Sequence, residues 1–412
     1  MTTDTAPAES RWGALRHASY LRFWIARSLA SMAALIVSVS VAWQIYDVTR
    51  STFALGLVGL TQFAPALLLV LVTGSVADRY NRRAIMAVCQ GAEAVCAAAL
   101  LYLSLTGAAT AGAILVIIAG IGIARAFFNP ATQSLVANLV PAKDLGSAIA
   151  WNSTSTQAAA ISGPVAGGLL YGLGPNVSYG TALVLLLVAS FLITRIPKPE
   201  QKSLREPPSW ASLAGGFRYL WNEKVVLGAI SLDLFAVILG GAVALLPAYA
   251  RDILETGPWG LGLLRSAPAF GALSVALLLA MRPLRRRAGI IMFIAVTIFG
   301  LATIVFGFSR TVWLSVLMLA IMGATDQISV FVRQTVVQLW TPDNLRGRVT
   351  AVNSIFIGAS NELGAFRAGT VAALIGVVPA VVVGGIGTVL VSAIWFRLFP
   401  ALRNVSRLDA RE

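Results

Sequence analysis

Residues 133–153 read QSLVANLVPAKDLGSAIAWNS, and residues 334–354 read QTVVQLWTPDNLRGRVTAVNS. At an offset of 201 the two align without a gap. Seven of the twenty-one positions are identical: Gln133/Gln334, Val136/Val337, Pro141/Pro342, Gly146/Gly347, Ala150/Ala351, Asn152/Asn353 and Ser153/Ser354. Composition alone gives roughly one or two. Working outward, an offset of 203 lays Tyr46, Gly59, Ala64, Pro65 and Ala66 on Tyr249, Gly262, Ala267, Pro268 and Ala269. The same offset lays Arg79, Arg82 and Arg83 on Arg282, Arg285 and Arg286. The chain is written twice, in the same direction, so one half repeats the architecture of the other.

Composition says what the repeated unit is. Hydrophobic residues make up 58% of the 412 and charged residues only 12%, too few charges to clothe a soluble protein of this length. That excludes a soluble enzyme, a disordered scaffold and a disulfide-stapled secreted module. Twelve mostly apolar stretches are each long enough for a helix to cross about 30 Å of hydrocarbon. They lie near 20–47, 53–77, 84–106, 112–138, 146–172, 177–195, 225–250, 258–281, 289–308, 311–340, 349–375 and 378–398. Uninterrupted apolar runs without strand alternation exclude a barrel, so every span is a helix. The expected fold is an all-α membrane protein with twelve transmembrane helices in two parallel six-helix repeats.

The basic residues test the count. The net charge of +14 suggests a nucleic-acid binder only if the cations gather on one watery surface, and here they are scattered between apolar runs. With both termini in the cytoplasm, twenty-three Lys and Arg fall on cytoplasmic segments and only Arg50, Arg251 and Arg310 outside, as positive-inside orientation requires. Every connection except the middle one is short. That linker, residues 196–222, is rich in proline and charge, and its Leu213, Phe217 and Leu220 stripe behind Ser209 predicts an interfacial helix. The expected division is 1–195, 196–222 and 223–412. The first nineteen residues lack an apolar core and predict no cleavable signal. Cys89 and Cys96 stand about two helical turns apart in one span and do not bond. With one histidine and two cysteines, no metal centre or nucleophilic triad assembles. All four lysines lack the preceding glycine of a phosphate-binding loop. No cofactor is expected.

Gly74, Asp78, Arg79, Arg82 and Arg83, joining the second and third spans, spell G-x-x-x-D-R-x-x-R-R. On this motif, the spans and the repeat, the whole chain resembles the major facilitator superfamily. The resemblance implies that Asp78 and the arginines form a cytoplasmic gate holding the outward-facing state, and that the first, fourth, seventh and tenth spans line the cavity. In the second half Met281 stands in place of Asp78. The fifth span carries Gly163, Pro164, Gly167 and Gly168, which resembles the antiporter motif of drug/proton exchangers with Ala159 at its first glycine. Small residues let helices approach closely and proline removes one backbone bond. Generic small-residue packing is the alternative. Residues 125–133 and 232–235 are similar to the branch containing the enterobactin exporter and macrolide-efflux-type proteins, which implies export.

Nine charges lie inside spans: Arg27, Glu93, Arg125, Asp233, Arg265, Asp326, Arg333, Glu362 and Arg367. Exposing all of them to lipid would cost on the order of 25 kcal/mol, so most face one another or a watery cavity. Mapped through the resemblance, Arg27, Arg125, Asp233, Asp326 and Arg333 belong to the pore. Arg125 and Asp326 hold equivalent repeat positions and would approach across the pseudo-two-fold axis. The expectation is that Asp233 and Asp326 bind a coupling proton and that Arg27, Arg125, Asn129, Gln133 and Arg333 contact cargo. Static buried ion pairs are the alternative. Glu93 is expected at the periphery, Arg265 at the exit, and His17 in the cytosolic tail without a chemical role.

Parallel repeats about an axis along the membrane normal are a transporter architecture, with the site at mid-depth between halves. The reading is a proton-coupled secondary transporter exporting small amphipathic molecules such as drugs, siderophores or secondary metabolites. Import or uniport, or a non-transporting receptor or scaffold, stays open. Expected partners are the small-molecule substrate, protons and membrane lipid, with no nucleic acid, for a monomer in the bacterial inner membrane.

Overall fold

The computed structural model of the chain describes residues 12–197, 210–282, 284 and 287–405, which are almost wholly helical. The part of the linker before Trp210, including Ser209, lies outside these residues, as do Arg285, Arg286 and the outermost termini. So does the side chain of Asp78. The first half comprises α1 (Ala18–Thr49), α2 (Thr52–Leu68), α3 (Val70–Arg79), α4 (Arg82–Leu105), α5 (Ala111–Leu139), α6 (Leu145–Leu173) and α7 (Pro175–Thr194). After α8 (Trp210–Asn222) come α9 (Lys224–Leu239), α10 (Leu246–Ala248), α11 (Gly257–Met281), α12 (Ala288–Phe308), α13 (Val312–Trp340), α14 (Asp343–Ile375), α15 (Val377–Leu398) and α16 (Pro400–Arg403).

All twelve expected segments are helical. Among the described residues nine helices are long and apolar enough to cross a membrane by themselves. The other three segments show why composition alone undercounts. α6 and α14 are long but carry Asn152, Thr154, Thr156 and Arg346, Arg348, Glu362, Arg367 respectively, which only protein neighbours can house. The second span is two helices where one was expected. Pro65 lacks the N–H that continues the ladder, and Leu69 leaves helical geometry with its own N–H on the Pro65 carbonyl at 2.9 Å. The seventh span is broken too. α9 ends at Gly240 and Gly241, and a 3-10 turn (Ala242–Leu245), α10 and a π-turn (Tyr249–Ile253) finish the crossing.

Starts and stops follow local chemistry. The Ser51 and Thr110 hydroxyls accept from the N–H groups of Ala54 and Ala113, filling orphan donors of α2 and α5. Gly174 and Gly376, at φ 137° and 92°, let the chain double back into α7 and α15. The linker helix α8 lies on the second half, where the Tyr219 hydroxyl donates to the Trp340 carbonyl at 2.7 Å and Phe217 meets Phe356 edge-on.

Within the first half α1 packs on α6 and α7, α4 on α5 and α7, and α2 on α5; within the second, α11 and α12 pack on α13, and α12 and α9 on α15. Each set encloses a core, one around Tyr20, Phe23, Leu135 and Tyr179, the other around Val226, Phe293 and Val336. Two long crossings join the sets, α6 on α11 and α2 on α14. Both are backbone-close. A Cβ on Gly168 would stand 2.5 Å from the Pro258 carbonyl and 3.0 Å from Gly262, and one on Gly262 would stand 2.5 Å from the Pro164 carbonyl. At the other crossing a Cβ on Gly369 would stand 2.5 Å from the Thr52 carbonyl, and one on Gly56 3.0 Å from that of Phe366. Gly163 and Gly167 perform the same service towards Leu35 and Ile36 of α1. The fifth span therefore uses its small residues to approach α1 on one side and α11 on the other.

Gly168→Ala or Gly262→Ala should destabilise the protein by about 1–3 kcal/mol through overpacking, read as a lower thermal midpoint of tryptophan fluorescence in detergent. Gly172→Ala, with open space around its Cβ, should leave the midpoint unchanged or raise it.

Candidate functional site

Both halves run in parallel, so the starts of α1 and α9 share one end of the molecule with the chain termini. This is the near end; the turns after α1 and α10 form the far end. The far end is tied shut between the halves. Asp47 pairs with Arg251, and Asp252 accepts from the Tyr46 hydroxyl and, at 3.2 Å, from Arg50. The Arg251 guanidinium also lies 5.5 Å from the ring centroid of Trp43. Each half contributes an acid and a base to this clasp. Its charged groups are partly exposed, so each pair is worth about 0–1 kcal/mol. Arg50 is held at φ 52°, a left-handed conformation that its role at the turn imposes on an arginine. Sequence reasoning missed this clasp, although Arg50 and Arg251 were two of the three exceptions to the positive-inside pattern and each has an aspartate within three residues.

At the near end the gate motif is distributed over several elements. Gly74, Asp78 and Arg79 lie in α3, and Asn81 caps α4 by accepting from the Arg83 N–H at 3.0 Å. Arg82 donates to the Ala77 carbonyl and to Asn138 of α5, each at 3.2 Å, and Arg83 donates to the Ile196 carbonyl at 2.5 Å. These bonds tie α3, α4, α5 and the end of α7 within their own half. His17, expected to be idle, bonds Asp144 at 2.9 Å and fastens the start of α1 to α6.

The intramembrane charges resolve into local groups. Asp233 of α9 pairs with Arg333 of α13 and accepts from the Ser329 hydroxyl at 3.1 Å. Both members are buried, with side chains 6% and 4% exposed, so Arg333 does not present its charge to open space as a cargo contact would require. Asp326, two turns before Arg333 on α13, lines a small cavity with Asp233, Thr325, Ser329 and Phe299. Its carboxylate has no hydrogen-bond partner among the described residues and feels the Asp233–Arg333 pair electrostatically. Arg125 does not reach for Asp326 across the axis. Its Nε lies 3.7 Å from Glu93 of α4, because α4 and α5 are neighbours in one bundle and Glu93 is buried between them rather than peripheral. Arg27 sits 3.5 Å from the Thr156 hydroxyl of α6, not beside Asp233. Arg125, Asn129 and Gln133 stand at i, i+4 and i+8 and make one polar stripe along α5, with Asn129 and Gln133 exposed. Arg265 donates to Ser38 of α1 at 2.8 Å, a bond between halves, and Arg367 donates to the Leu239 carbonyl at 2.5 Å, capping α9 where the seventh span breaks.

The profile of the family described as "Transmembrane secretion effector" matches residues 9–411. An enterobactin exporter of Citrobacter koseri is 27% identical over 94% of this chain and 93% of its own length. That of Salmonella typhimurium is 27% identical over 94% of each. Among solved structures, a bacterial homologue of the human lysosomal transporter Spinster, inward-facing and unoccupied, superposes with a TM-score of 0.74 at 16% identity, covering 94% of this chain and 98% of that one.

Replacing Asp233 by Asn should cost about 3–5 kcal/mol by stranding Arg333 without a counter-charge, read as a lower thermal midpoint. The double replacement Asp233→Leu with Arg333→Met should recover most of that loss if the pair serves packing alone.

Proposed function

The chain belongs to the transmembrane secretion effector family of the major facilitator superfamily and is a multi-pass membrane transporter; we propose that it exports a small amphipathic molecule by proton antiport. The cargo class is that of the relatives, a siderophore such as enterobactin. Residues 1–195 and 223–412 act as two bundles joined by the linker 196–222, and the bundles rock about the α6–α11 and α2–α14 crossings. The supporting observation is that the contacts at the far end are ion pairs and one hydroxyl bond between halves, while mid-depth contacts are glycine pivots. Weak, water-accessible ties can break and re-form in each cycle, whereas backbone-close crossings keep the halves in register.

Both termini lie in the cytoplasm of a bacterial cell, so the far end faces outward and the clasp is the outer gate. Gly74, Asp78, Arg79, Arg82 and Arg83 then form the inner gate, made when the outer one opens. Their bonds within the first half fit the state in which the inner gate is parted. Cargo enters from the near end along the stripe of Arg125, Asn129 and Gln133, beside Arg27. Asp326 takes up the coupling proton, since it alone among the carboxylates facing the α9–α13 cavity lacks a bonded partner, and Asp233 with Arg333 sets the charge around it.

In inverted membrane vesicles energised with a proton gradient, enterobactin should accumulate, and collapsing the gradient should release it. Asp326→Asn should lower gradient-driven accumulation at least tenfold, about 1.4 kcal/mol or more, yet retain exchange of labelled for unlabelled enterobactin without a gradient. Undiminished gradient dependence in this variant removes Asp326 from coupling. Uptake into intact cells that fails on collapse of the gradient would make the protein an importer.

A further inference from the structure

The two crossings between halves are related by the sequence repeat, and they differ at one position. Where Gly262 of α11 lies on the Pro164 carbonyl of α6, the repeat offsets put Gly59 of α2 and Ala365 of α14. A Cβ on Gly59 would touch that of Ala365 at 3.4 Å, so the second crossing copies the first. Three residues before Pro164 stands Ile161, and three before Ala365 stands Glu362. A Cβ on Gly59 would collide with the Oε2 atom of Glu362. Since isoleucine serves at the first crossing, packing does not call for a carboxylate at the second.

The charged groups around Glu362 come from both halves. From α11, Arg265 holds Ser38 by Nη1, and its Nε is buried without a partner among the described residues. From α5, Arg125 stands three residues after Gly122, whose Cα abuts the Gln62 backbone three residues beyond Gly59. Behind Arg125 is Glu93 of α4. Both arginines act on Glu362 electrostatically. α2 contributes no titratable side chain. α9 and α13 contribute Asp233, Arg333 and Asp326, engaged as described. α8 and α15 contribute Arg218 and Arg397, and α14 itself bears Asp343, Arg346 and Arg348 at the near end and Arg367, turned to the Leu239 carbonyl. The Glu362 carboxylate has no hydrogen-bond partner among the described residues.

Rigid bundles keep their internal distances when they rock. Asp233, Asp326 and Arg333 all belong to the second half, and Glu93 and Arg125 to the first, so their spacing is the same in both states. Glu362 is different, because α2 and Arg125 lie across the interface from it. We propose that Glu362 links protonation to rocking: it is ionised while the first half lies against it and carries a proton when the outer side has opened. This rests on the transport reading above and deepens it. With the outer gate shut, Arg125 and Arg265 flank the carboxylate from the two halves and balance its charge. Opening carries α2 and Arg125 away, leaves the carboxylate with Arg265 alone and turns it to the outer water, where one proton binds. Closing brings Arg125 back and drives that proton off towards the cytoplasmic side. The cycle moves the proton inward while cargo moves outward.

The test uses the full chain in lipid nanodiscs and reads amide hydrogen exchange of residues 249–256, corrected for the intrinsic rate. In the parent, opening of the outer gate should rise roughly tenfold from about pH 8 to about pH 5. Glu362→Gln should be open to the same degree at every pH, Glu362→Asp should keep a response, and Asp326→Asn should keep the parental one. A parental acid response in Glu362→Gln would trace it to Asp47 and Asp252 of the clasp and overturn the proposal, as would a gate that stays shut in that variant. Should Glu362→Gln fail to fold, Gly59→Ala, whose methyl displaces only the carboxylate end, must weaken the response at least about threefold, and an unchanged response also overturns the proposal. A chain that moves no cargo would remove the transport reading yet leave this response readable. Export that keeps its gradient dependence in Glu362→Gln removes Glu362 alone.

Discussion

The two glycine crossings are the constraint on which the rest of the molecule depends. Lipid tails are as apolar as leucine, so two helices in a bilayer gain nothing by hiding hydrocarbon from each other and adhere through close packing instead. At Gly168 with Gly262, and at Gly56 with Gly369, the helices approach until backbone meets backbone. Dispersion at that range holds the halves in register, and a smooth contact without interlocked side chains lets one roll on the other. The closeness is what places Arg265 within reach of Ser38 and Glu362 on the face of Gly59.

Around these pivots the charges fall into two kinds, which the physics of burial keeps apart. The Asp233–Arg333 pair is desolvated and enclosed by one bundle. Breaking it strands a charge, so it behaves as part of the frame. The outer clasp is half in water, and its ion pairs are individually weak. A transporter must break contacts thousands of times without unfolding, and only the second kind can be broken cheaply. Glu362 lies between these cases, buried at the interface but held by charge rather than by a bonded partner.

The breaks in the second and seventh spans serve the same division. Pro65 ends α2 before the gate motif begins, so α3 is oriented separately from the helix that pivots on α14. Gly240 and Gly241 end α9 against Gly364 of α14, and Arg367 covers the freed Leu239 carbonyl. Beyond that break the chain carries Arg251 and Asp252 to the clasp. Each break thus separates a mid-depth contact from the gate that the same span supplies.

What the sequence determined by itself was everything carried by periodicity, composition and repetition. Twelve apolar stretches, their helical state, the duplicated halves and the small-residue face of the fifth span are local properties, since lipid forces every backbone group into an internal bond and leaves a long apolar run no alternative to a helix. What only the tertiary structure decided was which charge meets which. Arg125 and Asp326 are equivalent by repeat, and the symmetry suggested that they face each other, yet Arg125 turns to Glu93 because α4 packs beside it. Tyr46 and Tyr249 are equivalent too, but one reaches Asp252 across the halves and the other the Gly307 carbonyl within its own. A side chain's partner depends on the angle at which the next helix passes. That angle is set by residues far away in the chain, at crossings no single segment encodes.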